Sequence, residues 1–124
     1  MLKAFLGTAG IVTGSLGLVW LLFPQTMLAG LAHSQADAIT VYMARRYGAM
    51  FVGYAAILWL GRASPPSPAR SAILVGGVAV TLVMGGVSLL GAVTGVVGPA
   101  VWSAVLIEAV LAAGFVYFCV VARS

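Results

Sequence analysis

Four stretches of this chain, residues 3–23, 39–61, 71–93 and 98–121, are each apolar over a run long enough to cross a bilayer. A spanning helix needs about 20 apolar residues, and the four runs together take up most of the 124 residues. No length remains for a separate soluble domain. The expectation is an all-α integral membrane four-helix bundle, a single transmembrane domain over 1–124. Composition agrees: 63% of residues are apolar and 6% charged, where soluble domains carry roughly a quarter charged residues.

The net charge of +4 does not point to nucleic acid. The six basic residues are scattered through apolar sequence, with no cluster of the kind that tracks phosphates. Topology accounts for them better. Lys3 precedes the first run, Arg62 and Arg70 flank the second connection, and Arg123 follows the last run. An even number of crossings puts all four on one side, and the excess of Lys and Arg makes that side cytoplasmic. Asp37 is the charge of the opposite connections. Both ends are therefore expected inside, in a multi-pass protein of the bacterial cytoplasmic (inner) membrane.

The first run invites comparison with a signal peptide, because Lys3 precedes it and small residues lie around Met27–Ala32. Its apolar length exceeds the roughly 7–15 residues of a signal core, so it is expected to be a true span. Gly7, Gly10, Gly14 and Gly17 within it share one helix face. Such a face lets a neighbouring helix approach closely, within the chain or between copies; packing within the chain is the favoured use. Trp20 near the end of this run fits an interfacial anchor.

Pro24 closes the first helix or opens the next turn. Met27, Leu28 and Leu31 are spaced to form the apolar face of a short helix at the outer interface. Asp37 is placed to cap the second long helix by accepting one of its unpaired backbone N–H groups. Residues 62–70, Arg-Ala-Ser-Pro-Pro-Ser-Pro-Ala-Arg, read as a stiff link, since three prolines cannot continue a helix. The third run carries Gly76-Gly77 and Gly85-Gly86, which hydrocarbon tolerates because unmade backbone hydrogen bonds are so costly there. Thr94 to Pro99 reads as a tight turn with Pro99 at the start of the last helix. Tyr117 and Phe118 fit an inner aromatic belt. The two halves show no residue-level repeat. Cys119, the single cysteine, has no partner for an internal disulfide and reads as a packing residue.

The informative polar groups are Arg45, Arg46 and Glu108, charges inside the apolar runs. Each costs at least ~2.5 kcal/mol in the bilayer interior, so such residues find partners or water. At about 1.5 Å per residue, the arginines lie about 10 Å and Glu108 about 14 Å from the outer end. Helical side chains tilt toward the N-terminus, which brings the Glu108 head toward the depth of the arginines. Against a direct pair, spans two and four are diagonal in an up-down bundle, and adjacent arginines point about 100° apart. One of them is then free to snorkel to headgroups.

Three uses compete for this set. It is a structural ion pair, or a site for a lipid or small polar group with Tyr42 or Tyr47 assisting an arginine, or a transport carboxylate at Glu108. Small multidrug transporters are about this size with one membrane carboxylate, but theirs lies in the first span and the local pattern differs. Catalysis has less behind it. His33 is the sole histidine and reads as an interfacial polar residue; no His/Cys spacing suits zinc or bis-His haem, and no glycine loop suits a nucleotide. No enzyme activity, cofactor or metal is expected.

Leu21-Leu22-Phe23-Pro24 closing the first run, and Ala44-Arg45-Arg46-Tyr47-Gly48-Ala49 in the second, resemble the small four-span bacterial membrane proteins of the DoxX-like group. The likeness extends over the chain in span count and loop lengths, with the Arg45–Gly48 neighbourhood as its specific part. It implies the fold. Many members of that group have no assigned activity and some are linked to redox or respiratory complexes, so no catalytic residue is carried over. The resulting expectation is an accessory or scaffold subunit packed against a larger inner-membrane complex or forming a homo-oligomer. The alternative is a binder or transporter of a small or lipidic molecule at the Arg45, Arg46, Glu108 set.

Hydrocarbon as solvent is directly testable. The purified chain should need detergent or lipid to stay dispersed, and a folded, monodisperse species in plain buffer by size-exclusion chromatography contradicts the membrane assignment.

Overall fold

The computed structural model describes residues 1–31 and 35–121. His33, Ser34 and Arg123 lie outside the described residues, so the readings placed on them are not addressed. The described chain is helical, with four long helices and one short one: α1 (Leu2–Leu22), α2 (Pro24–Leu31), α3 (Ala38–Gly61), α4 (Pro68–Thr94) and α5 (Val101–Val121). Three of them, α1, α4 and α5, are long and apolar enough to cross a membrane. The expected span at 39–61 differs. It forms a helix of 24 residues, but Arg45, Arg46 and the tyrosines 42, 47 and 54 hold its apolarity below that of the others.

The helix ends follow from local chemistry. The Asp37 carboxylate accepts from the Thr40 backbone N–H at 2.7 Å, as the cap reading requires. Hydrogen bonding from Thr40, its side chain first and its backbone N–H second, favours the charged form and holds the Asp37 carboxyl below the usual carboxylate range. The Ser67 hydroxyl accepts from the Arg70 N–H at 3.2 Å, with Pro68 opening α4. Gly95 closes α4 in the left-handed region at φ 68°, which glycine reaches without a Cβ clash. Pro99 sits in a turn just ahead of α5 rather than within it; Val101, Trp102 and Ser103 donate to the carbonyls three residues earlier. The short helix α2 has Met27, Leu28 and Leu31 on its partly buried side, as their spacing predicts.

Two antiparallel helix pairs build the molecule, α1 with α3 and α4 with α5. In the first pair the α1 glycines all face α3. Gly7 lies against Arg62, Gly10 against Ala55 and Trp59, Gly14 against Ala55, and Gly17 against Gly48. At that last crossing a Cβ added to Gly48 would stand 2.7 Å from the Gly17 carbonyl oxygen and 2.7 Å from the Leu21 backbone nitrogen. The stripe is occupied by packing within the chain. Backbone meets backbone there, and the approach exchanges lipid contact for dispersion contact. In the second pair Gly77 lies under the Phe115 ring and Gly85 against Glu108.

The two pairs meet mainly at the end where α1 begins. There Leu6, Ala9, Leu58, Leu74 and Phe115 form a buried cluster. Phe5 adds an edge-on contact to Phe115 at 5.0 Å between ring centroids and also touches Phe118. Cys119 is a free thiol packed at the edge of this cluster. At the opposite end α2 bridges the pairs, with the Gly98 N–H donating to the Leu31 carbonyl at 2.6 Å. The site discussed next lies between these two junctions.

The glycine contact makes a paired prediction. Gly48→Ala should destabilise the protein by about 1–3 kcal/mol, because rigid backbone has to move. Gly53→Ala, where an added Cβ meets nothing within 4 Å, should be neutral or mildly stabilising. Denaturant unfolding in mixed micelles, followed by far-UV circular dichroism, distinguishes the two.

Candidate functional site

The register of α3 follows from the Gly48 contact. A helix turns about 100° per residue, so with Gly48 on α1, Tyr47 is rotated about 100° to one side. Phe51, Tyr54 and Leu58 fall on that same side. Arg45 is rotated about 60° the other way, and Arg46 lies nearly opposite Gly48. The observed burial matches: Ala44, Gly48, Ala55 and Leu58 are buried, Tyr47, Phe51 and Tyr54 are half-buried, and Arg45 and Arg46 are exposed. The side chain of Tyr42 is exposed as well, with the Arg46 guanidinium 5.9 Å from its ring centroid. That distance is at the edge of a cation–π contact.

Glu108 faces the interior. It is 9% exposed and belongs to the α5 stripe of Val101, Ala112 and Phe115 that packs on α4. Its Cβ is 3.5 Å from where a Cβ on Gly85 would stand, and its Oε2 3.9 Å. Small residues on α4 thus make room for the carboxyl. Ser88, three residues on from Gly85, lies on the same face of α4. Its Oε2 is buried with no hydrogen-bond partner.

The sequence-predicted set therefore splits. Arg45, Arg46 and Tyr42 lie together on the outward surface of α3, while Tyr47 is half-buried on the side of α3 that bears Leu58, and Glu108 is buried on α5. The structural ion pair, one of the three uses open to the set, does not form among the described residues, because Gly48 commits the face of α3 that would have to bear the arginines. Tyr47 also packs edge-on against Trp20 at 5.4 Å and tilted against Phe51 at 4.6 Å between ring centroids. Trp20 is thus engaged inside the molecule rather than serving only as an interfacial anchor.

Sequence reasoning missed two members of this interior. Ser88 was invisible because serine is ordinary in a membrane helix; its i+3 relation to Gly85 was the available signal. Tyr54 sits seven residues after Tyr47, two turns along the same face, and its Oη is also buried without a hydrogen-bond partner. Thr81, by contrast, is satisfied locally, donating to the Gly77 carbonyl at 2.7 Å. Buried polar atoms are paired in the great majority of cases, so the Oε2 of Glu108 and the Oη of Tyr54 are exceptions among the described residues. No set of three or more His, Cys, Asp or Glu side chains is positioned to hold a metal among the described residues.

Compared with family models, with curated proteins and with solved structures, the chain matches none. The class defined by fold and site is an α-helical membrane protein with one interior carboxyl and an outward arginine pair.

Because Glu108 has no ion-pair partner to strand, Glu108→Gln should shift stability by no more than about 1 kcal/mol, the scale of one hydrogen bond. A buried Arg–Glu pair would instead cost about 3–5 kcal/mol when broken. The same micelle unfolding assay reads the difference.

Proposed function

We propose that this chain is a small accessory subunit of a larger complex in the bacterial cytoplasmic membrane, crossing four times with both ends inside. The fourth crossing is α3, which at 24 residues is about 36 Å long and runs antiparallel to α1. Lys3, Arg62 and Arg70 gather at the end where α1 begins, in keeping with that end being cytoplasmic. The likeness to the DoxX-like group, centred on Arg45-Arg46-Tyr47-Gly48, supports the same reading, as that group includes proteins linked to larger respiratory assemblies.

The observation that carries the proposal is the outward pair Arg45 and Arg46. Both are exposed on α3, and the two acids of the sequence, Asp37 and Glu108, are engaged elsewhere or turned inside. Arginine on a membrane helix surface is costly unless it reaches headgroups or a partner's acceptor. An acidic or carbonyl-rich surface of a neighbouring subunit meets that need, and a second copy of this chain offers fewer acids to do so. The reading assigns no catalytic residue and no cofactor.

A second reading, a binder of a small molecule, is favoured by the orphaned Oε2 of Glu108. On this fold such a site would centre on Glu108 and the space beside Gly85, without the arginines.

Extraction in mild detergent followed by native mass spectrometry tests the subunit proposal. The chain should leave the membrane with a distinct larger partner. Arg45→Ala with Arg46→Ala should weaken that association about 30-fold or more, given the ~2–5 kcal/mol cost of removing one side of a desolvated charge contact. Recovery only as a monomer or a homo-oligomer contradicts it.

A further inference from the structure

The seam between α1 and α3 opens into a groove of about 410 Å³. Its floor is Gly10, Gly14 and Ala55, and over it stand Ile11 and Trp59, both exposed. The small residues that let the two helices approach leave nothing on the floor to fill the space between these larger walls. Small molecules bind where roughly 70–90% of their surface is enclosed, and walls this exposed do not enclose one. A lipid chain lying in the groove needs less, because its outer side meets the same hydrocarbon that surrounds the helices.

One end of the groove is charged. The Arg62 guanidinium lies 3.5 Å from the centre of the Trp59 ring, and its Nη1 donates to the Trp59 carbonyl at 2.7 Å. The same side chain crosses to α1, where its Cδ is 3.5 Å from the place of a Cβ on Gly7. These contacts hold the cation beside the groove, with further N–H groups left to donate. Lys3, one turn before Gly7 and on the same face of α1, adds a second charge at this end. Neither is matched by an acidic side chain. Of the two in the sequence, Asp37 caps the opposite end of α3 and Glu108 is buried on α5. The depth fits as well. From Gly7, level with Arg62, to Ser15, the last α1 residue of the groove, is about 12 Å along the helix. Half the hydrocarbon core of a bilayer is about 15 Å. The groove thus has the length of one leaflet, with its cation on the headgroup side.

We propose that this seam binds one anionic phospholipid from the leaflet on the side where α1 begins. Its phosphate sits on Arg62 and Lys3, and one acyl chain lies along Gly10, Gly14 and Ala55. An apolar groove alone would take any chain, and a cation alone any anion; the two joined end to end select a molecule that has both parts. The site uses neither Arg45 nor Arg46, so it is independent of partner docking on α3. Arg45 lies about three turns farther along α3 than Ala56, beyond the groove.

Native mass spectrometry of the full chain in mild detergent, titrated with lipids, tests head and chain separately. Wild type should retain one dioleoylphosphatidylglycerol with a Kd about tenfold below that of dioleoylphosphatidylcholine, which has the same chains and no net charge. Tenfold is the scale of one charge-assisted hydrogen bond. Arg62→Gln should remove the preference, and Arg62→Lys should keep part of it. Ala56→Phe fills the groove from an exposed position away from the helix contact, and should weaken both lipids about tenfold. Circular dichroism checks that each variant folds, and Ala56→Phe carries the test should Arg62→Gln not. Glycerol phosphate, a headgroup without chains, should leave the bound lipid in place. Equal retention of the two lipids by wild type overturns the proposal, as does undiminished phosphatidylglycerol binding in folded Arg62→Gln or Ala56→Phe. Displacement by glycerol phosphate shows a simple anion site and overturns the role of the groove. Loss of the lipid in Arg45→Ala with Arg46→Ala, but not in Arg62→Gln, puts it on the outward pair and overturns the proposal too.

Discussion

The backbone contact between α1 and α3 at Gly17 and Gly48 is the constraint from which the rest of the arrangement follows. Apolar side chains gain little from leaving lipid for protein, so membrane helices associate through close packing and hydrogen bonding rather than through the hydrophobic effect. Two glycines facing each other permit an approach that a single methyl group on either would block. Once that contact forms, the rotation of α3 is settled. Tyr47, Phe51, Tyr54 and Leu58 turn toward the second helix pair, and Arg45 and Arg46 turn away from it.

The second pair obeys the same logic with a different result. Gly77 and Gly85 on α4 are spaced two turns apart, and α5 presents Phe115 to the first and Glu108 to the second. The apolar contact joins the shared cluster at one end of the molecule, whereas the polar contact leaves a carboxyl oxygen unpaired in the middle. One fold therefore contains two unmet electrostatic demands: an outward positive pair on α3 and an inward carboxyl on α5. They lie on different surfaces and are separable by experiment, which is why a partner-docking role and an interior binding role do not compete for the same residues.

Much of this was legible in the chain. Helix existence and approximate bounds followed from apolar run length. Asp37 as a cap, the short helix after Pro24 and the proline-rich link were readable because each depends on a few neighbouring residues. The glycine stripe of α1 was readable too, since spacing alone assigns residues to a face. Glu108 stood out as a charge in an apolar run. What escaped was pairing. Arg45, Arg46 and Glu108 share a depth, and depth is a one-dimensional property that sequence carries well; whether two side chains meet depends on the rotation of each helix about its own axis.

That rotation was decided only by tertiary structure. The sequence determined that the chain is helical and apolar, where its helices begin and end, and which few polar groups lie among apolar residues, because those properties arise from local backbone chemistry and from solvent. Helix rotation arises from contact between segments distant in the chain: Gly17 against Gly48 turned the arginines out, and Gly85 against Glu108 turned the carboxyl in.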